Sequence, residues 1–197
     1  MSDAAPGDSR YRTSVHPGSR RAFTAIELMN FLGLAAVLSA VAMYALARYV
    51  RHAKTVEAAS SVTRLASNAA LFYDNSDGTQ PAAANPAAVH AMRHFPTSSA
   101  SPVPTDELSV RGSRYQSNLA DWSVSPWREL DFKMVQPQYY RYAFASEGAG
   151  ATAKAMVTAQ GDLDGDGVRS TYALEIMADQ GLSASVSKTM TKTDTEE

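Results

Sequence analysis

Residues 23–50 read FTAIELMNFLGLAAVLSAVAMYALARYV, and the fold is decided there. From Leu28 to Ala47, twenty consecutive positions carry no charge. About twenty apolar residues in a helix cross the hydrocarbon core of a bilayer. An ordinary secretory signal has a shorter apolar run, roughly 7–15 residues. No proline interrupts residues 23–75, and Gly33 is the single glycine there. The abundant Ala, Leu and Met favour helix. The second half of this segment changes character. Val62, Leu65, Ala69 and Phe72 recur at spacings of three and four, while Arg64, Ser67, Asn68 and Asp74 fall elsewhere. That period predicts an amphipathic helix lying on a globular domain. Asp74-Asn75-Ser76-Asp77-Gly78 supplies the stop.

Upstream, residues 1–22 are polar and basic. Arg10, Arg12, Arg20 and Arg21 stand against Asp3 and Asp8, and Pro6, Gly7, Pro17 and Gly18 oppose regular structure. The whole chain of 197 residues has a formal charge of −2, which gives no electrostatic footprint for nucleic acid. It has no cysteine, so disulfides, thiolate metal sites and cysteine nucleophiles are all excluded. Apolar residues make up 45% of the chain, enough for a packed core.

Downstream, residues 79–107 carry Pro81, Pro86, Pro96, Pro102 and Pro104 and read as a long loop, with a helical turn expected around 87–93. From about residue 130 the period becomes two. Four alternating runs are centred on Phe132 and Met134, on Tyr140, Tyr142 and Phe144, on Ala155, Val157 and Ala159, and on Tyr172, Leu174 and Ile176. They predict an antiparallel sheet, one face of which packs on the amphipathic half of the helix. The polar tail from Ser183 has little to bury and reads as frayed.

Glu27 is the physical oddity. A carboxylate opens an uncharged span, and no cation follows it until Arg48. Acidic residues in membrane spans are rare and mark functional sites by default. One alternative for residues 23–47 is a plain signal anchor.

The run Arg20-Arg21-Ala22-Phe23-Thr24-Ala25-Ile26-Glu27 resembles the N-terminal signal of type IV prepilins and pseudopilins. That pattern is a basic leader, a small residue, phenylalanine, threonine and a glutamate. The family usually has glycine before the cut, where this chain has Ala22, and many members carry a proline within the apolar helix, which this chain lacks. A looser resemblance to bacterial pilin-like proteins covers Phe132, residues 137–142 and residues 159–167. The resemblance implies cleavage between Ala22 and Phe23 by a prepilin peptidase, methylation of the new N-terminus, and pairing of Glu27 with the Phe23 amine of a neighbouring subunit. A buried carboxylate needs such a charge-assisted partner, and the pair would fix the stagger of neighbouring helices. Implied partners are further copies in a helical filament, the peptidase, an assembly platform with its ATPase, and a secretin. The implied route runs from the inner membrane, leader in the cytoplasm, to an extracellular pilus serving adhesion or twitching motility.

Asp162-x-Asp164-x-Asp166-Gly167 matches the first half of a calcium loop. The Val168 carbonyl and the Ser170 hydroxyl would add ligands, but the twelfth position is Ala173 rather than a bidentate Glu. The alternative is a hairpin turn rich in Gly and Asp. His90 and His94 share a helical spacing without a third zinc ligand nearby, and otherwise read as loop residues. Residues 139–142 (YYRY) read as sheet packing or as a stacking surface. No nucleophile elbow, phosphate loop or dinucleotide fingerprint is present, and the chain reads as a non-enzyme.

The expected fold is α+β: a long N-terminal helix, half transmembrane and half amphipathic, on an antiparallel sheet of about four strands. The expected organisation is a cleaved leader over 1–22, an apolar helix over 23–50, a globular head over 51–182 and a polar tail over 183–197. The expected function is a pilin, requiring no cofactor, with calcium as an optional ion and no nucleic-acid partner. A minor pilin or type II secretion pseudopilin is one alternative. A membrane-anchored, calcium-stabilised binding domain that does not polymerise is another, and a membrane-anchored enzyme is the third.

Overall fold

The computed structural model describes residues 23–76, 93–179 and 183–194. Helix α1 spans Ala25–Asn75, as the unbroken run of helix formers predicts. The chain divides into two compact units, Met1–Met43 and Tyr44–Glu197. In the first, the described residues are the apolar start of α1. Its side chains are exposed all round, including Phe31, Leu34, Val37 and Val41. The Ser39 hydroxyl donates to the Ala35 carbonyl at 2.7 Å, so the one hydroxyl in mid-span is satisfied within the helix. Near the N-terminus α1 is long and apolar enough to cross a membrane.

In the second unit α1 becomes amphipathic. Ala58, Val62, Leu65, Ala69 and Tyr73 form its buried stripe at spacings of three and four. Tyr73, rather than the expected Phe72, completes the stripe, because Tyr73 lies a full i+4 step beyond Ala69. Its hydroxyl donates to the Gly150 carbonyl at 2.8 Å, which lets a tyrosine close an apolar row.

The sheet is antiparallel throughout. Its strands are β1 (Arg141–Glu147), β2 (Lys154–Gly161), β3 (Ser170–Ala178), β4 (Ala184–Val186) and β5 (Thr191–Thr193). The order is β1-β2-β3-β4, and β5 pairs beside β4 along the same side of β3. Tyr142, Phe144, Val157, Ala159, Leu174 and Ile176 alternate into the core, as the two-residue period predicts. Three of the four expected strands are therefore present.

The fourth, around Phe132, is not a strand. Leu130 and Phe132 donate their N–H groups back to Pro126 and Trp127 in tight turns, and Asp131 has φ +45°. Phe132 is buried instead among aromatic rings, its centroid 5.2 Å from Trp122 and 5.7 Å from Tyr142. Two alternating residues are too few to distinguish a strand from such a cluster. The tail corrects the sequence reading in the other direction, since residues from Ser183 supply β4 and β5. The Ala184 N–H also donates to Asp74 at the end of α1, at 2.9 Å.

The outer side of β1 is covered by irregular chain. Val103 and Tyr142 exchange both backbone hydrogen bonds, at 2.8 and 2.9 Å, and the Ser99 N–H donates to the Phe144 carbonyl at 2.8 Å. The Ser99 hydroxyl accepts the Phe144 N–H in return, at 3.1 Å. The proline-rich loop, in its described part, is thus a strap along the sheet edge. The helical turn expected around 87–93 lies outside the described residues except for Arg93, which is irregular.

Candidate functional site

Phe23 and Glu27 belong to the first unit, and Asp162, Asp164 and Asp166 to the second. In the first unit, Phe23 is 85% exposed at the start of α1. Ala22, the residue before the expected cut, lies outside the described residues. The Glu27 carboxylate accepts the Thr24 N–H at 2.8 Å and the Thr24 hydroxyl at 2.9 Å, through Oε2. The Thr24 hydroxyl oxygen in turn accepts the Glu27 N–H at 3.2 Å. This is a capping box: the side chains at the helix start and three residues on satisfy each other's backbone donors. Glu27 thus finds a partner in its own N-terminal flank, Thr24, which the sequence reading did not name as a cap. The signal was present as Thr-x-x-Glu ahead of an apolar run.

In the second unit, residues 162–169 connect β2 to β3, and Gly161 pairs with Ser170 to close the hairpin. Asp162, Asp164 and Asp166 bring one carboxylate oxygen each within 4.8 Å of one another and could hold a metal ion. The hairpin reading and the carboxylate-cluster reading of this motif therefore describe one loop. Asp162 is its organiser. Buried at the loop base, it accepts the Gly165 N–H at 2.6 Å and the Gly167 N–H at 2.9 Å. Asp164 accepts the Asp166 N–H at 3.2 Å, and Asp166 accepts the Val168 N–H at 2.7 Å. Gly167 has φ +99°, a backbone state open to glycine, at the position where a calcium loop makes its sharp bend.

Two guanidiniums face the same carboxylates. Arg51 of α1 lies 3.1 Å from Asp164, and Arg111 lies 3.4 Å from Asp162. Neither was legible in the motif, because both come from distant segments. They offset the mutual repulsion of the three acids. The expected Ser170 ligand is not available to the loop. Its hydroxyl is buried and donates to the Gly161 carbonyl at 3.1 Å.

The remaining candidates separate. Tyr140 and Tyr142 are buried in the sheet core, as the packing reading predicts, and Tyr139 lies under Lys54 at 4.6 Å. His94 lies edge-on to Phe72, with centroids 6.3 Å apart, while His90 lies outside the described residues. Compared with protein-family models, with curated proteins and with solved structures, the chain gives no match.

Proposed function

We propose that this chain is a pilin-like subunit, cut between Ala22 and Phe23 and polymerised through the apolar start of α1 into an extracellular type IV filament. The observation that carries the reading is Glu27, a carboxylate at the head of an exposed apolar helix, with Phe23 four residues before it. Once the chain is cut, the Phe23 amine of a neighbour is a cation that can reach Glu27 in an apolar assembly. The amphipathic continuation of α1 carries the head, so the same helix suits a membrane before assembly and a filament core after it. The partners of this reading are copies of the chain, a prepilin peptidase, an assembly platform with its ATPase, and a secretin. Adhesion and twitching motility are uses such a filament serves.

The decisive experiment is mass spectrometry of sheared surface filaments beside the membrane fraction. A dominant filament protein starting at methylated Phe23 is the expected result. Methylated Phe23 confined to membrane, or present in filaments only as a trace, would make the chain a minor pilin or a secretion pseudopilin. A chain never cut after Ala22 would overturn the reading. The Asp162, Asp164 and Asp166 cluster supports a second reading, an anchored head that calcium stabilises and that does not polymerise.

A further inference from the structure

A cleft of about 440 Å³ opens in the head between the strap at residues 100–106 and the turns at residues 115–127. Its volume falls in the range of small-molecule sites. Among its lining residues are Ser101, Thr105, Asp106, Tyr115, Asp121 and Trp127. Among the described residues no Lys, Arg or His lines it, so two carboxylates face an anion with no cation to offset them. Each carboxylate keeps one oxygen open. Asp106 Oδ1 accepts the Leu108 N–H at 3.0 Å, and Asp106 Oδ2 has no partner among the described residues. Asp121 Oδ2 accepts the Tyr115 hydroxyl at 2.9 Å and the Asn118 N–H at 3.2 Å, which leaves Oδ1 open in the same way. Ser101 and Thr105 hydrogen-bond each other at 3.3 Å, and hydroxyls both donate and accept. Val103, Pro104 and Val124 add apolar wall.

We infer that this cleft binds a neutral, polyhydroxylated ligand, a single sugar residue. Open carboxylate oxygens accept strong hydrogen bonds from vicinal hydroxyls. The half-exposed Tyr115 ring and the exposed Val124 side chain offer apolar surface to the C–H face of a pyranose. The geometry fits a sugar better than a metal ion, because among the described residues two carboxylates line the cleft and hard cations take six or more oxygens. A second cleft, of about 210 Å³, contains Arg111, Arg141 and Arg169, but their guanidiniums are already paired with Asp162 and Glu107. The inference does not depend on the filament reading, since every residue used belongs to the head.

The test is saturation-transfer NMR on the full chain in lauryldimethylamine oxide micelles, which carry no sugar. The probes are glucose, galactose, mannose and N-acetylglucosamine at millimolar concentration, with methylammonium as a cationic control. Transfer to at least one sugar is expected. Asp106→Asn keeps the acceptor for Leu108 but turns the open oxygen into a donor, and should weaken binding about tenfold. Ala120→Trp fills the cleft from an exposed position and should abolish transfer. Circular dichroism of both variants should match the parent. No transfer to any sugar, transfer to methylammonium alone, or undiminished sugar transfer in both variants would overturn the assignment.

Discussion

The Tyr142 hydroxyl on β1 donates to Glu57 on α1 at 3.1 Å. The Tyr139 N–H donates to the same carboxylate, at 3.1 and 3.3 Å to its two oxygens. One half-buried acid thus ties the helix to the first strand and its approach. Burial raises the Glu57 carboxyl above its ordinary value of 4.5, and the hydrogen bonds from Tyr139 and Tyr142 oppose that rise. The native chain therefore holds this proton more tightly than the unfolded chain. The stability linked to it is full below pH 4.5 and is lost as pH rises through the native pKa. Thermal melts of the parent across this window should fall more steeply with pH than those of Glu57→Gln. Glu57→Ala leaves the Tyr139 and Tyr142 donors unpaired and should cost about 1–3 kcal/mol. Parallel pH profiles for parent and Glu57→Gln would exclude the linkage.

The Glu27 side chain caps the start of α1, and the proposed filament reading gives its charge a second, separable role in assembly. Glutamine also completes a capping box but carries no charge. Glu27→Gln should therefore keep membrane insertion, cleavage and helix start, and lose filaments. Glu27→Ala should lose filaments as well, with a frayed first turn. Normal filament yield from Glu27→Gln in electron micrographs would reduce this residue to a cap.

At the β2–β3 loop, a bound calcium ion would stabilise the native chain by mass action, about 2.7 kcal/mol at a hundredfold excess over its dissociation constant. Calcium should raise the melting temperature of the parent and leave that of Asp164→Ala unchanged. Arg51→Ala removes a competing cation from Asp164 and should increase the calcium response. Equal melting of the parent with calcium and with chelator would argue against an ion in this loop.

Strands β4 and β5 cover one side of β3, although each has only three residues. Truncation after Ala178 should bare the β3 edge and promote self-association, since long open edges are templates for strand addition. Sedimentation velocity of the truncated chain would detect this. A truncated chain that stays as dispersed as the parent would show that the strands are dispensable cover.

The long helix and three core strands were legible because their apolar residues keep a strict period over several turns or pleats. The helix-to-sheet packing followed from the same pattern, down to Val62, Leu65 and Ala69. β4 and β5 were hidden because each has only three residues: β5 is exposed throughout, and β4 offers a single alternation, Ala184 and Val186 about Ser185. Their pairing is fixed by β3 and by Asp74, not by their own composition. At the candidate sites the Asp spacing and Glu27 could be read directly. Arg51 and Arg111 could not, because their approach to the loop depends on tertiary contacts across many residues.

Both tryptophans of the chain, Trp122 and Trp127, sit in one cluster with ring centroids 5.1 Å apart. Phe132 and Tyr142 complete the cluster, and Arg64 of α1 stacks over Phe132 at 4.6 Å. The chain therefore carries its own optical reporter. Indole emission follows melting of the head, and the membrane-competent stretch contributes none of it. Folding of the head can then be timed on an unlabelled sample with no indole of the apolar stretch contributing to the signal.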